Sequence, residues 1–202
     1  YLQFGKRLGI PVLSSDRRLR EDGTFAPLDF DNILQMIEQY EPSALVIIPY
    51  DNPTGQFLNQ KTINKIAKIC IEKRIWLVSD EAYRPMVFTG ENPSSIWKIP
   101  SKVIPNKFYF RISIESASKV WNACGLRIGG IVTDSEDFHL NAVSEYTANL
   151  CANHIGQYIF GALENESVTE IKKWYSKQNS YYKNLFKTMK DSLNKELPGV
   201  II

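Results

Sequence analysis

The chain has 202 residues, 44% of them hydrophobic, which is enough apolar material for one large domain or for one domain and a piece of another. Its 24 basic and 22 acidic residues are well mixed and leave a formal net charge of +2, which argues against nucleic acid and against a polybasic membrane patch. Apolar runs stay short of the roughly 18 residues of a membrane helix, so we expect no membrane partner.

The three cysteines and two histidines carry no metal-binding pattern. Cys70, Cys124 and Cys151 are odd in number and lack a C-x-x-C pair, while the histidines lack a second ligand at metal spacing. We therefore expect reduced thiols, no metal site and a cytoplasmic location.

Both ends of the sequence are typical of a truncated chain. The first residue is Tyr1 rather than methionine, and residues 198–202, PGVII, resemble the beginning of a strand. The expectation is a piece of a longer protein.

The chain before residue 44 contains one predicted strand and one predicted helix. The short apolar run at residues 9–13 suits a strand, and a polar connection follows it. From residue 28 to residue 40 apolar residues recur at helical spacing, with Asp29 or Asp31 placed to cap the helix.

From residue 44 onward predicted strands and helices alternate. The run at residues 44–49, ALVIIP, is typical of a strand covered on both faces. Residues 59–74 return to helical spacing, and the further strands are predicted at residues 75–78, 108–114 and 128–133. This order favours an α/β fold with a mostly parallel sheet and right-handed crossovers.

The chain becomes helical after residue 135. Residues 167–197 carry an apolar stripe at helical spacing, which we interpret as a packing surface. An unbroken helix of this length would measure roughly 45 Å, as fits a helix that connects two domains.

Polar clusters follow three successive predicted strands. Asn52 lies in NPTG after the first, Asp80 in SDEAY after the second, and Lys119 in SASK after the third. In open α/β sheets the carboxyl ends of the strands form the ligand-binding edge, so we expect these clusters to share one site.

The stretch around Lys119 favours phosphate binding beside a reactive amine. Ser116 and Ser118 could donate hydrogen bonds to a phosphate, and Arg127 could bind it through its planar guanidinium. Lysine amines form Schiff bases with carbonyl groups. Taken alone, the stretch also suits a solvated lysine and an arginine in a surface ion pair.

NPTG, SDEAY, SASK and GLRIGG, in this order and at these separations, closely resemble the class I/II aminotransferases of the pyridoxal-phosphate fold-type-I superfamily. The resemblance covers residues 44–131. It implies pyridoxal 5′-phosphate as the cofactor, with Asp80 paired to the pyridine nitrogen and with Asn52 and Tyr83 hydrogen-bonded to the 3-oxygen.

The resemblance also implies roles for the lysine stretch. Lys119 would form a Schiff base with the cofactor, give way to the substrate amine, and then move the proton of the substrate as general base and acid. Ser116 and Arg127 would hold the phosphate, and Ser118 would contribute. Asp80 and Tyr83 count with Lys119 as the catalytic set.

By the same resemblance, residues 1–164 form the cofactor-binding large domain, incomplete at its N-terminus. Residues 165–202 form the interdomain helix and the beginning of a small domain. The aromatic residue that stacks on the cofactor and the arginine that binds the substrate carboxylate have no match in the chain. We therefore expect that this chain by itself completes neither the sheet nor the active site, and that the full protein is a homodimer.

The predicted function is an aminotransferase that moves an amino group between an amino acid and a 2-oxo acid. The alternatives are a carbon–sulfur lyase or related synthase on the same fold, an aminotransferase-like domain of a DNA-binding regulator, and a relative without activity. Arg84 and Trp121 could line a substrate pocket, although an outward arginine and a packed indole are the simpler interpretation.

Overall fold

The computed structural model describes residues 1–84, 86–88, 90–105 and 108–199. Its strands are β1 (Ala44–Ile47), β2 (Trp76–Asp80), β3 (Arg111–Ser116) and β4 (Gly129–Thr133). Its α-helices are α1 (Leu2–Leu8), α2 (Phe30–Tyr40), α3 (Gln60–Lys73), α4 (Ala117–Val120), α5 (Glu136–Ala148), α6 (His154–Gly161) and α7 (Val168–Glu196).

The four strands form one sheet in the order β1-β2-β3-β4. β1, β2 and β3 are parallel neighbours, with Val46 opposite Val78 and Val78 opposite Ile112. β4 runs antiparallel to β3. The predicted α/β fold with a mostly parallel sheet is confirmed, and the carboxyl ends of the three parallel strands lie at one edge.

Helix α3 connects β1 to β2 and begins and ends where its sequence signals predict. The Asn59 side chain accepts a hydrogen bond from the backbone N–H of Thr62 at 3.0 Å, which caps the N-terminus. At the other end, Arg74 takes a left-handed conformation with φ of 57° and closes the last turn. Between these caps the helix buries one apolar stripe.

The core of this layer lies between α3 and the sheet. Ile63 and Ile66 of α3, Leu77 of β2 and Phe110 before β3 are all at most 2% exposed. The run at residues 44–49 is less covered than its sequence predicts, since Val46 remains 42% exposed. The expectation that both faces of this strand are covered is therefore wrong for this chain.

Two predicted strands differ from the structure in place or in kind. Residues 9–13 form no strand: the N–H of Ile10 donates to the carbonyl of Gly5 at 2.9 Å, which closes the end of α1 instead. Local apolar character alone does not make a strand, which needs a neighbour to pair with. β3 begins at Arg111 because its pairing with β2 begins there, opposite Leu77.

The predicted helices α2 and α7 are confirmed. The carboxylate of Asp29 caps α2 by accepting from the N–H of Asn32 at 2.9 Å. α7 is one continuous helix of 29 residues. In the C-terminal half of α7 the predicted apolar stripe does not form a packed surface, since Leu185 and Phe186 are 48% and 53% exposed.

The chain divides into two compact units, one formed by Tyr1–Pro42 with the chain from Leu193 onward, the other by Ser43–Ser192. The sheet and all seven predicted site residues belong to the second unit. The predicted domain boundary between residues 164 and 165 stays a prediction. None of the helices in the described ranges is long and apolar enough to cross a membrane.

Candidate active site

The NPTG loop after β1 is held in a tight reversal. Tyr50 and Phe57 form an antiparallel bridge, and the N–H of Gly55 donates to the Asp51 carbonyl at 2.9 Å. Gly55 has a φ of 69°, which side-chain-bearing residues rarely adopt. The reversal leaves Asn52 exposed at the sheet edge.

The buried anchor of this loop is Tyr50, which is 7% exposed. Its hydroxyl donates to the carbonyl of Ser94 at 2.7 Å. Burial raises the pKa of the Tyr50 phenol to about 12, with the Ser94 hydrogen bond acting in the opposite direction. The phenol therefore stays protonated at neutral pH, and its hydrogen bond to Ser94 holds the start of the loop in place.

Side chains from the ends of β1, β2 and β3 meet as the sequence predicts. The amide nitrogen Nδ2 of Asn52 donates to the Tyr83 hydroxyl at 2.9 Å. The Lys119 amine Nζ lies 5.5 Å from the centre of the Tyr83 ring, within the range of a cation–π contact. Asp80, the last residue of β2, accepts from the N–H of Ala82 at 3.2 Å, so its carboxylate is fixed at the same edge.

The backbone geometry around Ser116 depends on a close approach of β4. Ser116 caps α4 by accepting from the N–H of Ser118 at 3.1 Å, and its backbone lies opposite Gly129 in the β3–β4 register. A Cβ atom added at Gly129 would lie 2.8 Å from the Glu115 carbonyl oxygen. Glycine is therefore required here for β4 to pair beside Ser116.

Arg127 is close to Ser116 along the backbone, while its side chain has a local partner. The N–H of Ala117 donates to the carbonyl of Ile128 at 3.0 Å, which fixes the connection that carries Arg127. The Arg127 guanidinium donates to the Cys124 carbonyl at 3.2 Å and is exposed. This contact uses the nitrogen Nη1, and a guanidinium carries further N–H donors that could bind a phosphate.

A buried charged network beside Tyr83 was not singled out by the sequence interpretation. Glu81 is fully buried, and its carboxylate accepts from the Ser95 hydroxyl at 2.8 Å and from the Ile96 N–H at 2.9 Å. Burial raises the pKa of Glu81, while these hydrogen bonds and Arg84 lower it. The sequence offered one indication of this network: Glu81 directly follows a predicted buried strand. An unpaired charge there would lower the stability of the fold, so such a position predicts a partner for the carboxylate.

Arg84 pairs with two carboxylates, so the expectation of an outward arginine is wrong. Its Nε lies 3.1 Å from Glu81 and its Nη2 lies 2.9 Å from Glu115. Its side chain is 32% exposed. The arginine therefore connects the turn that carries Tyr83 to the end of β3.

Trp121 packs with aromatic residues from α6 and α7. Its ring stacks on Trp174 with centroids 4.9 Å apart and meets Phe160 edge-on at 5.8 Å. A cavity of about 590 Å³ lies beside this cluster, and none of the seven predicted site residues lines it. We therefore place the candidate site at Lys119 and the strand ends rather than in this cavity.

The sequence matches the family model described as aminotransferase class I and II over residues 21–202. The chain belongs to this family. An aspartate aminotransferase of a Bacillus species is 29% identical over 64% of the chain and 33% of the relative's length. A glutamate–glyoxylate aminotransferase of Arabidopsis thaliana is 34% identical over 50% of the chain and 23% of the relative.

Among solved structures, the PLP-bound C–S lyase of Staphylococcus hominis superimposes with a TM-score of 0.80 at 21% identity. The match covers 98% of this chain and 47% of the lyase chain. The chain thus spans less than half the length of these relatives. The predicted family and fold are confirmed, and so is pyridoxal phosphate as the cofactor of the family. The individual roles of the seven site residues stay predictions.

Proposed function

We propose that the protein containing this chain is a pyridoxal-phosphate-dependent aminotransferase that moves an amino group between an amino acid and a 2-oxo acid. The observation that carries the proposal is the meeting of Asn52, Tyr83 and Lys119, from three strand ends, at one edge of the sheet. A cytoplasmic homodimer is part of the same proposal. The free thiols support the location, and the family resemblance supports the dimer.

The chemistry of the donor set fits the cofactor. One carboxylate, Asp80, can accept a hydrogen bond from a protonated pyridine nitrogen, and the donors Asn52 and Tyr83 suit an anionic ring oxygen. Ser116 and Arg127 offer a hydroxyl and a guanidinium for a phosphate, together with the close backbone approach at Gly129. When bound, the cofactor supplies an aldehyde that captures amines and an electron-withdrawing ring.

The side chains of this chain would then orient the cofactor and move a proton. Asp80 would hold the proton at the ring nitrogen, since a carboxylate beside it favours the protonated form. Tyr83 and Asn52 would hold the ring oxygen. Lys119 would supply the amine that binds the aldehyde, and its Nζ would later take and return the proton of the substrate's α-carbon as general base and acid.

The test is covalent labelling of the intact protein. The protein is incubated with pyridoxal phosphate and reduced with borohydride, and the modified peptide is mapped by mass spectrometry. We expect the label on Lys119, its loss in Lys119→Ala, and its retention in Lys68→Ala, which removes an exposed lysine of α3. Folded wild-type protein without label at Lys119 would refute the proposal and favour a relative without activity.

The second candidate is a carbon–sulfur lyase, because this fold also occurs in the C–S lyase described above. Both reactions use the same lysine, so labelling does not distinguish them. A product assay does: transamination yields a new amino acid from the added 2-oxo acid, whereas elimination from a sulfur amino acid releases a thiol or sulfide together with pyruvate and ammonia. The regulator alternative would be favoured by specific DNA binding of the intact protein without turnover.

A further inference from the structure

The turn that carries Tyr83 and the strand end that carries Lys119 are joined by one arginine. Arg84 directly follows Tyr83, and Glu115 directly precedes Ser116, the cap of the short helix with Lys119. The Arg84 guanidinium binds Glu115 at 2.9 Å and Glu81 at 3.1 Å. One planar group therefore connects both sides of the candidate site.

The Glu81 end of this connection is rigid. Glu81 is fully buried and accepts hydrogen bonds from Ser79, Ser95 and the backbone of Ile96 in addition to its ion pair. The backbone N–H of Arg84 also donates to the Glu81 carbonyl at 2.9 Å. A carboxylate held by this many donors has little freedom to move, so the ion pair with Glu81 fixes the position of the Arg84 guanidinium.

At its other end, the Arg84 guanidinium is bound to β3 through Glu115. Glu115 is 28% exposed and also accepts from the Ser113 hydroxyl at 3.1 Å. A guanidinium can bind two carboxylates at once through different nitrogens in a fixed plane. A lysine at the same position has a single ammonium group on a flexible stem and cannot hold the two carboxylates at the fixed planar spacing of two guanidinium nitrogens.

We propose that Arg84 is a positioning residue that fixes the Tyr83 ring beside the Lys119 amine by binding Glu81 and Glu115 together. The inference rests on the proposed function, because the positioned groups are those that would hold the cofactor. Without Arg84, the hydrogen bond between Asn52 and Tyr83 loses its support from the β3 side. The Lys119 amine then no longer faces a fixed phenol.

The experiment compares Arg84→Lys with Arg111→Lys in the intact protein loaded with pyridoxal phosphate. Arg111 of β3 is a matched control, because its Nε pairs at 2.7 Å with Asp134, which directly follows β4. Two quantities are measured. The first is the midpoint temperature of thermal unfolding, and the second is the pH at which the visible absorption band of the cofactor attached to Lys119 has changed by half. Both substitutions are expected to lower the thermal midpoint.

Of these two substitutions, only Arg84→Lys is expected to move the pH midpoint, upward by roughly half to one pH unit. This is the shift that follows when a hydrogen bond to an anionic oxygen is weakened. Glu115→Asp keeps the negative charge but draws the carboxylate back from the guanidinium at the less buried end of the connection, and it is expected to move the midpoint in the same direction. It keeps the test decisive if Arg84→Lys does not fold.

Three results would overturn the inference. The first is an unchanged pH midpoint in both Arg84→Lys and Glu115→Asp, and the second is an equal shift in Arg111→Lys, which would indicate a general loss of rigidity. In either case the band itself forms and the proposed function stands. The third is wild-type protein that forms no band, which overturns the proposed function together with this inference.

Discussion

Replacing Tyr50 by phenylalanine tests whether the loop that presents Asn52 is held by one buried hydrogen bond. The substitution removes only the hydroxyl, which donates to the Ser94 carbonyl at 2.7 Å. The ring itself keeps its place against Phe57, with centroids 5.5 Å apart. The change is therefore close to a pure deletion of a hydrogen bond.

The expected cost follows from the burial of both partners. Tyr50 is 7% exposed and Ser94 is fully buried, so the carbonyl is left without its donor and out of reach of bulk water. A buried acceptor without a partner costs about 1 to 2 kcal/mol. We expect the free energy of unfolding to fall by this amount in urea titrations at pH 7. Tyr40→Phe, at a site 52% exposed, should change it by less than about 0.5 kcal/mol.

The pH dependence gives an independent check with a defined sign. The folded-state pKa of Tyr50 is about 12 and its unfolded value is 10.0, so folding favours the protonated phenol. The stabilisation from this phenol is full below pH 10 and is lost as pH rises from 10 towards 12. Between pH 9 and pH 11 the loss amounts to roughly 1.4 kcal/mol.

The wild type should therefore lose more stability than Tyr50→Phe between pH 9 and pH 11. Cys70, whose pKa burial also raises to about 12, contributes equally to both proteins and cancels in the comparison. A Tyr50→Phe variant as stable as Tyr40→Phe at pH 7, or with an alkaline loss equal to that of the wild type, would refute the reasoning.

Two further predictions concern the thiols and the core. Cys124 and Cys151 are exposed whereas Cys70 is buried, so a chromogenic thiol reagent should modify two cysteines rapidly in the native protein and the third only after unfolding. In Cys70→Ser the fast reaction should remain and the unfolding-dependent reaction should be lost. Rapid reaction of the wild type at all three sites, or a slow reaction that persists in Cys70→Ser, would contradict this. Ile66→Ala, at a position 2% exposed, should lower the free energy of unfolding by about 2 to 5 kcal/mol in urea titrations. The control Lys68→Ala, on the exposed face of α3, should lower it by less than about 0.5 kcal/mol. Similar losses in both variants would argue against the packing of α3 on the sheet.

The sequence determined the elements whose signals are local. α3 could be predicted because its cap, Asn59, and its apolar stripe all lie within one stretch of chain. The meeting of Asn52, Tyr83 and Lys119 could be predicted for a related reason. Each follows a parallel strand, and parallel strands place their carboxyl ends at a common edge whatever the details of packing.

The tertiary structure decided everything that depends on which segments become neighbours. Residues 9–13 have the composition of a strand but no strand forms there, and β3 begins at Arg111 because its pairing with β2 begins there. Gly129 is required only because β4 approaches the Glu115 carbonyl. The sequence favoured an outward-facing Arg84, whereas in the folded protein Arg84 pairs with both Glu81 and Glu115. Strand pairing, register and the ion pair between Arg84 and Glu115 join residues distant along the chain, and local propensity carries no information about which distant residues become neighbours.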